Sequence, residues 1–227
     1  MKNNSRIITA LILLMEFLSI PARAQGITPL NDQEKQRFET VQHTLEKTGY
    51  TAVVPVGHGQ GANEALFAMT AMHNGKGVLV IALELNEGNT MSVVEIESDK
   101  TPAEIGIHGI SFQPFLGENN LVDVVVSHRP FRLEESYSFD SHHVLRKQDA
   151  ALSLACDFAG ASTSSYSKGI GSTTSQRTVT VEKLAGVKNL QFEVKAIQET
   201  TRQPAQGKPE RSESLQRYEL EATGICK

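Results

Sequence analysis

The sequence predicts a mostly-β protein, α+β by count of elements, in which an antiparallel, meander-like sheet forms a sandwich or open barrel with one N-terminal amphipathic helix. Apolar and polar residues alternate in run after run from residue 51 onward. Turn residues separate these runs about every ten residues, as in antiparallel sheets. One stretch near the N-terminus, from Asn31 to Lys47, has helical spacing of its apolar residues.

The first 24 residues have the layout of a secretory signal peptide. The basic segment Met1–Arg6 precedes the apolar run Ile7–Leu18, and Ala22-Arg23-Ala24 offers small residues for cleavage. A bilayer span needs roughly 20 apolar residues, more than this run has. We expect residues 1–24 to be removed. Residues 25–227 then form a single β-rich domain without a membrane span, or, as the alternative, two subdomains that divide near residue 100.

The charge of the mature chain limits its partners. Cleavage removes Lys2, Arg6, Arg23 and Glu16, which shifts the formal charge from −4 to −6. An acidic chain is a poor ligand for nucleic acid, and no Lys/Arg cluster favours anionic lipid. The signal peptide predicts a periplasmic or secreted protein, and the remaining partner class is an envelope or extracellular protein. The sequence does not fix the oligomeric state.

The chain has two cysteines, Cys156 and Cys226. In an exported protein they predict one disulfide, and the alternative is a pair of unpaired buried thiols. The bridge would close a loop of about 70 residues and stabilise the fold by at most about 4 kcal/mol. Leu152, Leu154 and Phe158 alternate with Cys156, which predicts that its side chain is buried on the same strand face.

The helix is predicted from Asn31 to Lys47. Asn31 and Glu34 have the spacing of a capping box, and Gly49 provides a stop. The apolar stripe consists of Phe38, Val41 and Leu45. A stripe this narrow indicates a helix lying on a sheet with its other side in water.

Strands are predicted in the first half of the chain. Thr51–Val56 is a short strand, and Pro55 places it at an edge. Residues 64–72 fit a helix or a strand, and the hairpin turn Asn74-Gly75 favours the strand. Further strands are predicted at Val78–Leu85, Thr90–Ile96 and Ile105–Phe112.

Residues 119–145 predict one long β-hairpin. Pairing Ser127 with Arg132 across a short loop places Val126 opposite Leu133 and Val122 opposite Tyr137, so that the apolar residues share a face.

The last third alternates strands with two polar stretches. Strands are predicted at Ala151–Phe158, Arg177–Leu184, Asn189–Ile197 and Leu215–Ala222. Residues 160–176 are almost wholly Gly, Ser and Thr, which predicts a flexible loop, and Glu199–Ser214 predicts a second polar loop.

Two motifs suggest sites. Gly57-His58-Gly59 frees the backbone to approach a phosphate or an oxyanion, but no P-loop ending follows, and a flexible turn between two elements is the favoured interpretation. Ser165 and Lys168 have the spacing of a nucleophile and its base in serine β-lactamase-like enzymes, a chemistry that needs a rigid helix. The surrounding Gly and Ser residues oppose that helix.

A metal site is considered around His128, Asp140, His142 and His143. The predicted hairpin register separates His128 from Asp140 by more than about 25 Å, so they are not expected to share an ion. The remaining candidates for a divalent ion are Glu118, Asp140 and His142, together with Asn119. Ordinary loop polarity is the favoured explanation of these residues, and a metal site is the alternative.

No catalytic motif stands out, so we expect no cofactor and a non-catalytic binding or interaction module. The alternative is a hydrolase or metal-dependent enzyme whose site assembles from distant residues around His58. The absence of Trp and the presence of only four Tyr disfavour a carbohydrate-binding module, which stacks sugars on aromatic rings.

Overall fold

The computed structural model describes residues 30–60, 64–85, 90–98, 106–130, 135–148, 151–168, 171–185, 189–203, 208–221 and 226. This part contains one helix, α1 (Asp32–Lys47), and eleven strands. The strands are β1 (Thr51–Gln60), β2 (Glu64–His73), β3 (Lys76–Leu85), β4 (Thr90–Ser98), β5 (Ile107–Phe115), β6 (Glu118–His128), β7 (Glu135–Gln148), β8 (Ala151–Lys168), β9 (Gly171–Lys183), β10 (Leu190–Gln203) and β11 (Glu210–Leu220). The predicted mostly-β fold with one N-terminal helix is confirmed.

The strands form two antiparallel sheets in which sequence neighbours pair. One sheet has the order β1-β2-β3-β4, and the other has the order β11-β10-β9-β8-β7-β6-β5. The ambiguous residues 64–72 belong to strand β2. Asn74 and Gly75 join β2 to β3 with positive φ angles of 50° and 78°, the conformation that an Asn-Gly hairpin turn requires. Strand β1 lies over β5 and β4 over β8, so the sheets form a sandwich.

Helix α1 covers the outer face of the four-stranded sheet. Its capping box is confirmed: the Glu34 N–H donates to Asn31 Oδ1 at 2.9 Å, and the Asn31 N–H donates to Glu34 Oε2 at 2.6 Å. The predicted stripe of Phe38, Val41 and Leu45 is buried against β1, β2 and β3. The Arg37 guanidinium also reaches the fully buried carboxylate of Glu84 on β3, so a charge pair adds to the apolar contact.

The second core lies between the two sheets. It contains Leu66, Ile81 and Val94 from one sheet and Val124 and Leu145 from the other. Each fully buried aliphatic side chain of this kind stabilises the fold by roughly 1.5–3 kcal/mol.

Two glycines allow the sheets to approach closely in this core. A Cβ atom on Gly57 would lie 3.0 Å from the Ile110 Cβ, and one on Gly59 would lie 3.1 Å from the Phe112 ring. Both glycines lie inside β1, which extends to Gln60, so the expected flexible turn at Gly57-His58-Gly59 is wrong.

A third core covers the other face of the seven-stranded sheet. Strands β9, β10 and β11 lie over the outer side of β5–β8, and the Phe115 ring on β5 meets the Phe192 ring on β10 edge-on with centroids 5.0 Å apart. The ring centroids of Tyr218 on β11 and Phe158 on β8 lie 6.1 Å apart. The long sheet therefore folds over itself, and the described residues form four layers: α1, the four-stranded sheet, β5–β8 and β9–β11.

The two cysteines fasten this fourth layer. Cys156 on β8 pairs with Cys226 at disulfide distance, with their Cα atoms 5.1 Å apart. The Cys226 N–H also donates to the Ala155 carbonyl at 2.7 Å. Cys156 is fully buried, as predicted, but it does not share a face with Leu152. An irregularity at Ala155 shifts the pairing with β7, so Leu152 packs between the sheets while Cys156 packs in the third core.

The polar stretch at residues 160–176 is not a loop. Its described residues lie in β8 and β9, which pair from Ser162 with Arg177 to Lys168 with Gly171. Composition is misleading here because Thr and Ser fit a solvated strand when a neighbouring strand takes up their backbone hydrogen bonds. The second predicted loop is shorter than expected, since β10 reaches Gln203 and β11 begins at Glu210.

Strand β11 is an edge of the seven-stranded sheet and carries charged side chains. Arg217 contacts Glu193 on β10 at 2.5 Å, and Arg211 reaches Glu199 at 3.8 Å. Residues 210–217 are exposed. The described part of this edge is thus a row of charges rather than an apolar surface.

The predicted signal peptide, residues 1–24, lies outside the described residues. Within the described ranges no helix has the length and apolar character needed to cross a bilayer. The division into subdomains near residue 100 stays a prediction, although the two sheets share the second core.

We predict that Gly57→Val destabilises the protein by about 1–3 kcal/mol, because its side chain would overlap Ile110 in a packed core. Gly109→Val on β5 is the matched control, since no atom lies within 4 Å of a Cβ at that position. Urea unfolding of both variants measures the difference. Equal midpoints would contradict the close approach of the two sheets at Gly57.

We predict that replacing both Cys156 and Cys226 with Ala lowers the free energy of unfolding by up to about 4 kcal/mol. The two cysteines are 70 residues apart in the sequence, and without the cross-link the unfolded chain gains conformational entropy. Backbone amides of β10 should lose hydrogen-exchange protection before those of β3, which lies in the sandwich. Uniform protection across both strands would show that the fourth layer does not depend on this link.

Candidate functional site

A cavity lies where the β9–β11 layer meets the ends of β6 and β7. We call it the interlayer cleft, and its volume is about 680 Å³. The described lining consists of Glu118, Asn120, Leu121, Arg146, Lys147, Gln148, Lys183, Leu184, Ala185, Asn189, Leu190, Leu220 and Glu221. Volumes of this size are typical of sites for small molecules or short segments.

The chemistry of the interlayer cleft is amphipathic. Four leucines line it, and its charged residues include three cations and two carboxylates. Lys183 Nζ lies 2.5 Å from Glu118 Oε1, which bridges β9 and β6 across the cleft. Arg146, which is 8% exposed, donates from Nη2 to the Glu221 carbonyl at 2.5 Å. No histidine, cysteine or serine is among the described lining residues, so the cleft offers contact and charge but no nucleophile–base pair.

A smaller cavity of about 300 Å³ opens at the same end of the molecule, between β1–β2 and β5–β6. Glu118, Leu121 and Lys147 line both cavities, so the two are neighbours. Gly59 and Asn119 line only the smaller one.

The candidates Gly57, His58 and Gly59 lie on β1 with separate surroundings. The glycine Cα atoms face Ile110 and Phe112, whose atoms occupy the space that an oxyanion cradle needs. His58 turns toward the helix, where its Nε2 lies 3.0 Å from Glu34 Oε1. Close packing of the two sheets thus explains the two glycines, and the contact with Glu34 at the helix N-terminus explains His58.

The predicted register of the β6–β7 hairpin is wrong. Ser127 pairs with Asp140, eight residues beyond its predicted partner Arg132, and Val122 pairs with Leu145 instead of Tyr137. Tyr137 pairs with Ser164 on β8. The prediction that more than about 25 Å separates His128 from Asp140 is therefore wrong. His128 pairs with Phe139, and Asp140 is the next residue along β7.

One consequence is a histidine–serine–histidine group on β6 and β7. Ser141 Oγ lies 3.0 Å from His128 Nε2 and 3.0 Å from His143 Nε2. The His128 ring stacks on Phe139, with centroids 4.4 Å apart. Sequence reasoning missed this group because it discarded the histidines on a wrong register.

A second polar group lies on the opposite face of the same hairpin. His142 Nδ1 lies 2.9 Å from Asp123 Oδ2, and Gln113 Nε2 donates to the same oxygen at 3.0 Å. The His142 ring stacks on Phe158 with centroids 4.7 Å apart. A Cβ on Gly160 would lie 2.8 Å from this ring, so the glycine makes room for it. Adjacent residues of a strand face opposite ways, which explains why His142 and His143 belong to different groups.

The candidates Glu118, Asp140 and His142 do not form one site. Asp140 and His142 lie two residues apart on β7, but Asp140 pairs with Ser127, nine residues along β6 from Glu118. Nine residues of strand span about 30 Å. Among the described residues no group of three or more His, Cys, Asp or Glu side chains has metal-binding geometry. His128 and Asp140 remain on opposite faces of the hairpin.

Ser165 lies on β8, where its Oγ is 3.3 Å from Thr174 Oγ1 on β9. In a β-strand, positions three residues apart lie on opposite faces of the sheet. The serine–lysine chemistry instead needs both side chains on one turn of a helix. The Ser165–Lys168 spacing therefore has no structural support as a catalytic motif.

A third polar group fastens the end of the helix to the four-stranded sheet. Tyr50 Oη and His73 Nδ1 each lie 2.7 Å from Glu95 Oε2, and the Tyr50 ring stacks on His73. Burial, and then the hydrogen bond to Glu95, raise the pKa of Tyr50 to about 12. The phenol therefore stays protonated and donates at neutral pH, which suits a structural contact.

The pKa of His143 is lowered from its ordinary value, chiefly because burial disfavours the charged ring. Asp157, its cross-strand partner, acts in the opposite direction, while His128 reinforces the lowering. His143 Nδ1 is buried and has no described hydrogen-bond partner. The ring is therefore neutral at pH 7.

We predict that stability falls as the pH drops from about 6.5 toward the lowered pKa of His143, because the unfolded chain takes up a proton that the folded ring resists. One such group contributes a slope of at most about 1.4 kcal/mol per pH unit. His143→Gln should flatten the urea stability profile over this window, whereas His43→Gln on the exposed side of α1 should not. Identical profiles for the wild type and His143→Gln would contradict the burial of a neutral ring.

No family model matches the chain, and neither a curated protein nor a solved structure is significantly similar to it. The residues and geometry of the chain itself are therefore the basis for a functional proposal.

Proposed function

We propose that this protein is an exported, non-catalytic binding module that holds an extended segment of another envelope or extracellular protein in the interlayer cleft. The observation that carries the proposal is the combination of four leucines with three cations and two carboxylates around one cavity of about 680 Å³. Export is supported by the N-terminal sequence pattern and by the paired cysteines.

The described lining of the cleft suits a polypeptide. Leu121 and Leu220 are each only 4% exposed and give the cavity an apolar base for side chains of a bound segment. Asn120, Gln148 and Asn189 add side chains that both donate and accept hydrogen bonds, as a peptide backbone requires. The charges of both signs favour a segment whose flanking residues also carry both signs.

A binding role also fits the absence of catalytic chemistry among the described lining residues. The Ser141–His143 contact meets the distance expected of a nucleophile and its base, but no described group orients His143 through Nδ1. The hydrolase alternative therefore lacks the third member that such chemistry uses.

We predict that a photo-crosslinking residue at Gln148, an exposed cleft residue, captures one discrete partner in cells that export the protein. The same residue at Gln36 on the exposed side of α1 should not capture it. Mass spectrometry of the adduct identifies the crosslinked segment, and a synthetic peptide of that segment then serves as the probe in fluorescence polarisation.

Lys183→Glu and Leu190→Asp should each weaken the peptide by at least about tenfold, or about 1.4 kcal/mol, because they reverse a cleft charge and remove an apolar contact. The matched controls are Lys195→Glu and Leu215→Asp, at exposed positions outside the cleft lining, and they should bind as the wild type does. Equal crosslinking at Gln148 and Gln36, or equal loss in the controls, would refute the cleft as the binding site.

A further inference from the structure

Strand β4 differs from the other edge strands of the two described sheets. Strands β1 and β5 contain Pro55 and Pro114, and each has two irregularities in its pairing register. Strand β11 carries charged side chains, among them Arg211 and Arg217. Prolines, irregularities and edge charges are features by which proteins prevent a neighbouring chain from pairing with an exposed edge. Three of the four described edges are therefore protected.

The segment Thr90–Ser98, which forms β4, is regular along its whole length. It contains no Pro, Gly, Lys or Arg, and it pairs with β3 from Thr90 opposite Leu85 to Ser98 opposite Gly77 without an irregularity. Within the described residues β4 pairs with β3 alone. Its other side therefore offers a straight row of backbone N–H and C=O groups, which is the surface that strand addition uses.

The described side chains of β4 are apolar on both faces of the sheet. Met91 and Val93 pack in the core beneath α1, and Val94 and Ile96 pack in the core between the two sheets. A strand that continues the sheet beyond β4 must therefore also carry apolar residues on both faces, because cross-strand neighbours on each face contact one another.

The charged residues of β4 are Glu95 and Glu97. The Glu95 carboxylate accepts a hydrogen bond from Tyr50 Oη and lies 2.7 Å from His73 Nδ1, so it is bound within its own chain on the helix-covered face. A partner strand has to avoid placing a further carboxylate opposite these two residues, since like charges directly opposite each other destabilise a strand pair.

We propose that β4 pairs antiparallel with β4 of a second copy of this chain, about a two-fold axis between the two Val94 residues. This axis places Val94 opposite itself, and it places each glutamate opposite an apolar residue, with Glu95 opposite Val93 and Glu97 opposite Met91. The two four-stranded sheets then join into one continuous sheet. Such an interface is isologous, and two-fold dimers are the commonest oligomers.

A second copy suits this edge better than a short peptide does. Its β4 has apolar residues on both faces, and it brings its own helix and its own second sheet to cover them, whereas an isolated peptide would leave them in water. Strand β8 lies over β4, where the Leu152 N–H donates to Ser92 Oγ at 2.8 Å, so both layers of the sandwich reach this side of the molecule. No residue of β4 is among the described lining of the interlayer cleft, so the pairing is independent of the proposed binding site.

The first test uses the purified wild-type chain. One strand from each copy makes a small interface, so sedimentation equilibrium should show single chains at low concentration and pairs at micromolar concentration and above. Hydrogen exchange at both concentrations should show that alternate backbone amides of β4 lose protection on dilution, while those of β11 do not change. A single-chain mass at every concentration would overturn the proposal. So would a dimer whose β4 amides exchange equally at both concentrations, since its interface would lie elsewhere.

The second test uses Val93→Glu and Val93→Lys, a matched pair that introduces opposite charges at one half-buried position. In the proposed register residue 93 faces Glu95 of the second copy, and the two-fold axis repeats this contact. The dimer of Val93→Glu should therefore be at least about tenfold weaker than that of Val93→Lys. The same pair of substitutions at Leu215, which is exposed on β11, should give equal dissociation constants.

Equal dissociation constants for the two Val93 variants would reject the register about Val94. Urea unfolding establishes that each variant is folded before its dimer is measured. If either variant is unfolded, the exchange of the wild-type β4 amides decides the proposal alone, and protection that does not depend on concentration rejects it.

Discussion

The attachment of strands β9–β11 to the back of β5–β8 is the constraint on which the rest of the molecule depends. Without it, Phe115, Phe158 and Phe192 would be exposed, and the interlayer cleft would have only one wall. The Cys156–Cys226 link joins the far end of the chain to β8 at this interface, beside an irregularity that turns Cys156 toward the third core. Apolar burial and one cross-link thus act on the same surface.

Features determined by short-range chemistry could be predicted from the sequence. The helix start follows from the reciprocal bonding of Asn31 and Glu34, and its apolar stripe follows from helical spacing. The Asn74-Gly75 turn and the alternating strand β3 follow from local backbone preference. The cysteine pairing could be predicted because the chain offers only one pair.

Features determined by residues that are distant in the sequence could not be predicted in this way. Strand β7 pairs with β6 along only part of its length and with β8 along its whole length. A register predicted from β6 and a short loop alone therefore placed Asp140 opposite the start of β6, whereas it pairs with Ser127 near the end of that strand. The Ser/Thr-rich strands carry no apolar alternation and looked like a loop. The histidine group at Ser141 and the interlayer cleft both depend on these pairings, and the sequence gives no local signal for either.

The charges along β11 have a consequence for how the protein behaves at high concentration. The described outer strand of the long sheet offers unpaired backbone groups to any neighbouring chain, which is the usual start of fibril growth. A second copy docking there would have to align Glu210, Arg211 and Glu213 against like or mismatched charges and strip them of water. The residues that form ion pairs with β10 within one molecule therefore also oppose pairing between molecules, and this opposition matters most when the protein is concentrated.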